Sequence, residues 1–295
     1  MVDWTRAAVR RAGRTADADP VWLARPVGDW DLLDGASVQR FDQTVVKFHA
    51  PATDPAALAA RLAAISSEPV GRHWLQPILP EPLVGPRGLL ATLWPFREAL
   101  APGGEEPWSA AGRLLANLHR APLADLRRGP ATGRTIVHAG FDRLRRALTV
   151  ASRSPAVFGT WLAERGAAVL RASPTVQETW VHGDFHLGQL AREPGGDWLL
   201  IDPDDSGVGD PAWDLGRPAA LWAAGLLDDE SWTQFVESYR DAAGPGLPSH
   251  GDPWPRLDLP ARAAAIVTCV RETIRDPDSA ASDLLLEVCR RMPTT

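Results

Sequence analysis

The chain has 295 residues, 45% hydrophobic and 23% charged, with a formal charge of −6. That is the composition of an ordinary globular protein with room for about two domains or lobes, and the negative balance argues against a nucleic-acid partner. Two cysteines without a C-x-x-C pair point to neither a disulfide framework nor a zinc site. No apolar run approaches the roughly 18 residues of a membrane span, and the polar N-terminus lacks the apolar stretch of a secretory signal, so a cytoplasmic protein without a membrane partner is expected.

The N-terminal third reads as short strands joined by turns. "WDLL" (30–33) and "SVQRF" (37–41) flank Asp34-Gly35, and "TVVKF" (44–48) follows Asp42-Gln43, an arrangement that signals hairpins. A helix is predicted over 53–67, with Thr53 or Asp54 as N-cap and Pro55 in its first turn. The proline-rich stretch 75–88 can hold only edge-like strands and leads to an apolar strand, "LLATLWPF" (89–96). Beyond it apolar residues recur at spacings of three and four in 108–121, 140–151 and 154–172, which predicts helices. "VHGDFHLGQL" (181–190) interrupts that pattern, a turn at Pro194-Gly195-Gly196 and the strand "DWLLID" follow, and the remainder reads as mostly helix. The layout is α+β: a small antiparallel-sheet N-terminal lobe over 1–96 and a larger, mainly helical C-terminal lobe over 97–295.

Charge is unevenly placed. Residues 182–258 hold 15 acids against 4 arginines, a balance of −11, whereas 97–181 balance to +5. Lys47 is the only lysine among 31 basic residues. A chain that uses arginine everywhere else has a reason to keep one compact ammonium in "TVVKFHA", because the guanidinium fork is wider and planar.

Three pieces then fall in a fixed order: Lys47 on a strand, His182-Gly183-Asp184 with Gln189 five residues on, and Ile201-Asp202 at a strand end. Phosphoryl transfer from a nucleotide needs such parts. A lysine neutralises phosphates, a loop aspartate orients the attacking hydroxyl, and an amide with a second aspartate offers hard oxygen ligands to Mg²⁺. The turn at 194–196 is expected to bring Asp202 back beside Gln189.

"HGDFHLGQ" followed by "WLLIDPDDSGVGDPAWDLG" resembles the aminoglycoside phosphotransferase and choline-kinase-like family, and "GRLLANLHRAP" and "FVESYRDA" extend the match. The resemblance implies a two-lobed, protein-kinase-like fold that uses ATP and Mg²⁺ to phosphorylate a small-molecule hydroxyl. It implies Asp184 as the catalytic aspartate, Lys47 as a phosphate ligand, Gln189 and Asp202 as metal ligands, and the backbone from Trp94 to Phe96 as the adenine hinge. His182 is expected to brace the loop. His186 is a brace or a substrate contact, Asp204 a second metal ligand or a solvated acid. Asp210 and Asp214 are expected to fix backbone amides and the following helix start. His119 reads as a satisfied histidine on a helical face.

Three departures from the family pattern matter. Gln189 stands where Asn is usual, as in the maltokinase and glucosamine-kinase branch, which points to an aminoglycoside, amino sugar or related sugar as acceptor. The helix after Lys47 has no glutamate to pair with it, so a nucleotide-binding pseudokinase without turnover is the alternative. The phosphate-covering turn is short, with Gly35 and Ser37 as its donors, and no P-loop motif is present. The −11 balance after the catalytic loop suggests a cationic acceptor.

Overall fold

Along Thr44–Phe48 the side chains alternate, Thr44, Val46 and Phe48 buried and Val45 and Lys47 on the opposite face. This alternation is that of a strand with one face on a core. In the computed structural model, which describes all residues except 1, 25–35, 99, 101–105, 124–135, 173–177, 193–194 and 295, it is β3 of a five-stranded antiparallel sheet. The expected strand at 30–33, with Asp34 and Gly35, lies outside the described residues. The strands are β1 (Val21–Ala24), β2 (Ser37–Phe41), β3 (Thr44–Phe48), β4 (Leu83–Val84) and β5 (Leu90–Pro95), in the order β1-β2-β3-β5-β4. The proline-rich stretch supplies only the two-residue edge strand β4, as the missing prolyl N–H donors require.

The chain divides into two compact units. The first comprises residues 1–103, 122–136 and 188–204, and the second 104–121, 137–187 and 205–295. The first unit thus reaches beyond residue 96 to take in the segment carrying Gln189 and Asp202. Its core joins Phe41, Val46, Phe48, Ala91 and Leu93 to Val9 and Ala16. Val9 belongs to a helix the sequence reading did not anticipate, α1 (Val2–Arg11), which buries Thr5, Ala8 and Val9 along one narrow stripe. Helix α2 (Pro55–Ile65) starts as expected, with Asp54 accepting the amides of Ala56 and Ala57.

Also in this unit, β7 (Leu190–Arg192) and β8 (Trp198–Leu200) form the anticipated hairpin, Leu190 opposite Leu200. The Ile201 amide donates to the Gln189 carbonyl at 2.9 Å and the Leu75 amide to the Leu200 carbonyl at 2.9 Å. The hairpin therefore fixes Gln189 beside the strand end that carries Asp202.

The second unit is mainly helical: α3 (Trp108–His119), α4 (Gly140–Ala151), α5 (Pro155–Arg171), α6 (Ala212–Ala223), α7 (Asp229–Asp241), α8 (Trp254–Arg275) and α9 (Ala280–Arg291), with the antiparallel pair β6 (Thr179–Val181) and β9 (Gly207–Gly209). Helix α8 packs against α4, α5, α6 and α9, and α3 against α7. Cys269 and Cys289 are buried free thiols. At the α6–α8 crossing a Cβ on Gly216 would lie 2.7 Å from the Pro260 backbone. Gly216→Ala is therefore expected to cost about 1–3 kcal/mol through overpacking, measured as a lower urea midpoint.

Candidate active site

In the first unit, strand alternation puts Lys47 on the face away from the core. Its ammonium lies 2.5 Å from Asp202 Oδ1 and 2.9 Å from Asp204 Oδ2. Asp204 Oδ2 also meets His49 Nδ1 at 2.8 Å, His49 Nε2 meets Thr92 Oγ1 at 2.9 Å, and Trp94 Nε1 donates to that hydroxyl at 2.8 Å. An ionised carboxylate only accepts, so the contact with Asp204 calls for a proton on His49 Nδ1. Burial works to lower the Lys47 pKa, but the carboxylates of Asp202 and Asp204 outweigh it and raise the value above that of a free lysine. Burial works to raise Asp204, and Lys47 with His49 holds it below the ordinary carboxylate range.

The helix glutamate missing from the sequence has a structural answer. Helix α2 presents no acid in its first turn, and the lysine is positioned by Asp202 and Asp204 instead. Removing Lys47 would leave two carboxylates facing each other. Lys47→Ala is expected to weaken nucleotide binding or turnover by about tenfold or more, the scale of a lost charge-assisted hydrogen bond. Lys47→Arg is expected to recover only part of it, since a planar fork cannot reproduce both short contacts. An Arg variant equal to wild type in nucleotide affinity and kcat would contradict this.

The same group has the donor chemistry for a hard cation. Asp204 Oδ1 is buried and has no hydrogen-bond partner among the described residues, a costly state for a carboxylate oxygen unless another ligand completes it. Asp202 sits at φ +61°, in the left-handed region that non-glycine residues seldom adopt, which aims its side chain at the lysine. Gln189, buried on the neighbouring backbone, adds a neutral oxygen. Among the described residues no group of three His, Cys, Asp or Glu side chains is arranged to hold a metal alone. Asp202 and Asp204 offer the one or two carboxylates that Mg²⁺ takes, its shell being completed by water and substrate phosphate.

In the second unit β6 runs into the catalytic loop. The amides of His182 and Gly183 donate to the two Asp214 oxygens at 2.7 and 2.8 Å. Asp214 Oδ2 also meets His119 Nε2 at 3.0 Å, His119 Nδ1 meets the Tyr239 hydroxyl at 2.8 Å, and that hydroxyl accepts from the Gly246 amide at 2.9 Å. Asp214 and His119 thus brace the loop from α6 and α3. Gly183 has φ +87°, and a Cβ there would strike the Asp205 carbonyl, so glycine is required on two counts. His182 is fully buried, and its Nδ1 accepts the Asp184 amide at 3.3 Å.

That bracing presents Asp184 between two guanidiniums: Oδ2 lies 3.0 Å from Arg143 and Oδ1 3.3 Å from Arg217. Burial works to raise the Asp184 pKa, but Arg143 and Arg217 lead the groups that hold it well below the usual range. Arg143 is also bonded to Asp205. His186 is pushed down to about 3, first by burial and then by Arg217, so its imidazole is neutral near pH 7. A cavity in this unit is lined by Asp184, Arg143, Arg217, Phe185 and Trp213, among others.

Other expected residues fall elsewhere. Asp210 accepts the Ala212 amide at 2.9 Å and pairs with Arg256 at 2.8 Å, serving the start of α6. Trp94 belongs to the His49 chain through Thr92. The Phe96 amide donates to the Gln43 carbonyl at 2.8 Å, and its ring lies under Arg40. That amide is used within the unit, so an adenine hinge would have to draw on other backbone groups. Ser37 opens β2 opposite Phe48, and Gly35 is outside the described residues. Of the acids behind the −11 balance, Asp205 is engaged by Arg143, Asp258 by Arg262, and Asp228 caps α7 through Ser231.

Sequence reasoning missed His49, Arg143 and Arg217. His49 lies two residues after Lys47, hence on the same side of the chain. Arg143 falls in the stripe of α4 that also buries Leu144, Ala147 and Val150, where a charge requires a partner. Arg217 follows Trp213 by four residues, on one helix face.

A family model described as the phosphotransferase enzyme family matches residues 34–257. The chain is similar to a choline/ethanolamine kinase family protein from Mesorhizobium loti, at 15% identity and TM-score 0.54 over 99% of this chain and 96% of that one. It is similar to spectinomycin phosphotransferase in complex with ADP and spectinomycin, at 13% identity and TM-score 0.52 over 94% and 90%. It is also similar to the GDP complex of aminoglycoside 2'-phosphotransferase-IIIa, at 11% identity and TM-score 0.60 over 98% of both chains. At these identities the likeness is one of fold. No curated protein matches the chain.

Proposed function

Belonging to the phosphotransferase enzyme family, the chain is a small-molecule kinase, and we propose that it transfers the γ-phosphoryl group of ATP to a hydroxyl of an aminoglycoside, amino sugar or related sugar. The observation that carries the reading is the pairing of a lone lysine with Asp202 and Asp204 in a chain whose braced loop presents Asp184. The complexes of the structural relatives with ADP and GDP support a nucleoside triphosphate as donor.

The roles we propose follow the chemistry of each group. Lys47 neutralises phosphate charge. Asp202, Gln189 and Oδ1 of Asp204 would hold Mg²⁺, which when bound supplies positive charge against the phosphates. Asp184 accepts the hydrogen bond of the acceptor hydroxyl and orients its oxygen toward the γ-phosphorus. A bond forms between that oxygen and the γ-phosphorus, and the bond from phosphorus to the β–γ bridging oxygen breaks. ADP leaves, and the hydroxyl proton passes to Asp184 or to water. Because Arg143 and Arg217 depress its pKa, Asp184 is a weak base, so it acts by orientation first. Arg143 and Arg217 keep it ionised and fixed.

The amino-sugar form of the acceptor rests on Gln189 and on the named substrate of a structural relative, spectinomycin. Its cationic charge rests on composition alone. Among the described residues no helix is long and apolar enough to cross a membrane. The test is an ADP-release assay over a panel of hydroxyl compounds with and without Mg²⁺. Acceptor-dependent and Mg²⁺-dependent release is expected, and nucleotide binding without release over the whole panel would favour the pseudokinase alternative.

A further inference from the structure

Lys47, His49, Thr92 and Trp94 share one face of the sheet in the first unit. Residues directly opposite each other in an antiparallel pair point to the same side, and Lys47 lies opposite Thr92 while Val45 lies opposite Trp94. His49 is two residues beyond Lys47, and its amide donates to the Leu90 carbonyl at 2.9 Å, which carries the β3–β5 pairing one step past the end of β3. The opposite face, with Val46 and Phe48, packs on the apolar core. On the Lys47 face His49 and Thr92 are buried as well, 1% and 2% exposed, although each carries polar atoms that burial penalises unless they are bonded.

Here the bonds run in one line. Trp94 Nε1 donates to Thr92 Oγ1, that hydroxyl meets His49 Nε2, and His49 Nδ1 meets Asp204 Oδ2 at 2.8 Å. The line ends on the oxygen that Lys47 also touches, at 2.9 Å. Asp204 is thereby held at Oδ2 from two directions. A carboxylate fixed in this way resists rotation, so the direction of Oδ1, which has no hydrogen-bond partner among the described residues, is set as well. Carboxylates that bind metals are commonly oriented by such hydrogen bonds from behind. Resting on the kinase reading above, we infer that His49 is a positioning residue for the divalent cation: its Nδ1–H, anchored through Thr92 and Trp94, holds Asp204 so that Oδ1 is presented to Mg²⁺. Lys47 is poorly suited to this task alone, because its flexible stem carries an ammonium shared with Asp202 at 2.5 Å. An imidazole bonded at both nitrogens has no such freedom.

The test compares wild type with His49→Leu, His49→Asn, His49→Gln and Thr92→Val. It reads the Mg²⁺ concentration at half-maximal ADP release and, separately from turnover, ADP affinity by calorimetry with and without Mg²⁺. His49→Leu is expected to raise the half-maximal Mg²⁺ concentration by about tenfold or more, the scale of losing a group that orients a metal ligand. It should also remove most of the gain in ADP affinity that Mg²⁺ brings, while metal-free ADP affinity stays within a few-fold. His49→Asn should recover most of the loss, because its amide nitrogen is bonded to Cγ as Nδ1 is. His49→Gln places its amide one bond further out, toward Thr92, and should recover little. Thr92→Val should shift Mg²⁺ dependence in the same direction by less, and it decides the question if the His49 variants do not fold. A folded His49→Leu variant with unchanged Mg²⁺ dependence would overturn the inference and leave the kinase reading intact. Equal loss of ADP affinity with and without Mg²⁺, or equal recovery by Asn and Gln, would assign the histidine to the packing of the sheet and also overturn it. The expected pattern in ADP binding, without ADP release from any acceptor, would uphold the inference and sink the kinase reading.

Discussion

Asp184→Asn is expected to lower kcat by about 10²–10⁴-fold while leaving nucleotide affinity within a few-fold. The amide keeps the shape of the carboxylate but turns one acceptor edge into a donor, so it cannot take a hydrogen bond from the hydroxyl and satisfy two guanidiniums as well. Leaving Arg143 and Arg217 without a shared carboxylate also removes stability, so nucleotide affinity and the thermal transition serve as controls for folding. The pH dependence has a definite sign. The Asp184 pKa is depressed in the folded chain. Its stabilising contribution is therefore fully present above the unfolded-state value of about 3.9 and is lost only as pH falls through the lower folded value. Protonation of Asp184 should accordingly produce no acid limb in kcat between about pH 5 and 7. A variant that turns over near wild-type rate would remove Asp184 from the chemistry.

Asp202→Asn is expected to cost about 100-fold or more in Mg²⁺-dependent turnover, the scale of losing a charged group that positions a metal. Asn is the substitution of choice because the backbone there is left-handed, φ +61°, a conformation that Asn tolerates and Ala does not. Lys47 would keep Asp204 as a partner at 2.9 Å, which limits structural damage. The Mg²⁺ concentration at half-maximal rate should rise as kcat falls. Gln189→Asn should be milder, retaining the carbonyl and shortening its reach. If Asp202→Asn changed neither the Mg²⁺ dependence nor kcat, the metal would have to be placed on other residues.

How much of this was legible in the sequence depends on what each feature needs. The lone lysine, the loop 182–189 and the hairpin that returns Asp202 to Gln189 are local patterns, and periodicity with turn residues is enough to place them. Helix α1 was missed because its buried stripe holds only Thr5, Ala8 and Val9 and the segment around it carries several arginines, so it reads as solvated. The His49–Thr92–Trp94 chain depends on the β3–β5 register, which pairs Lys47 with Thr92 and cannot be read without the sheet. Arg143 and Arg217 come from helices 74 positions apart in the chain, and only tertiary packing brings both to Asp184. The acidic balance is read from composition, which counts charges but not their partners: Asp205, Asp210 and Asp258 each face an arginine.

The central claim is that phosphoryl transfer ends on a hydroxyl, and phosphorus NMR of the wild-type chain with ATP, Mg²⁺ and its best acceptor tests it most directly. The expected result is a new phosphomonoester resonance that grows in step with ADP and is absent from the Asp184→Asn sample over the same interval. Release of inorganic phosphate in place of the ester, or an ester that forms equally fast without Asp184, would contradict it.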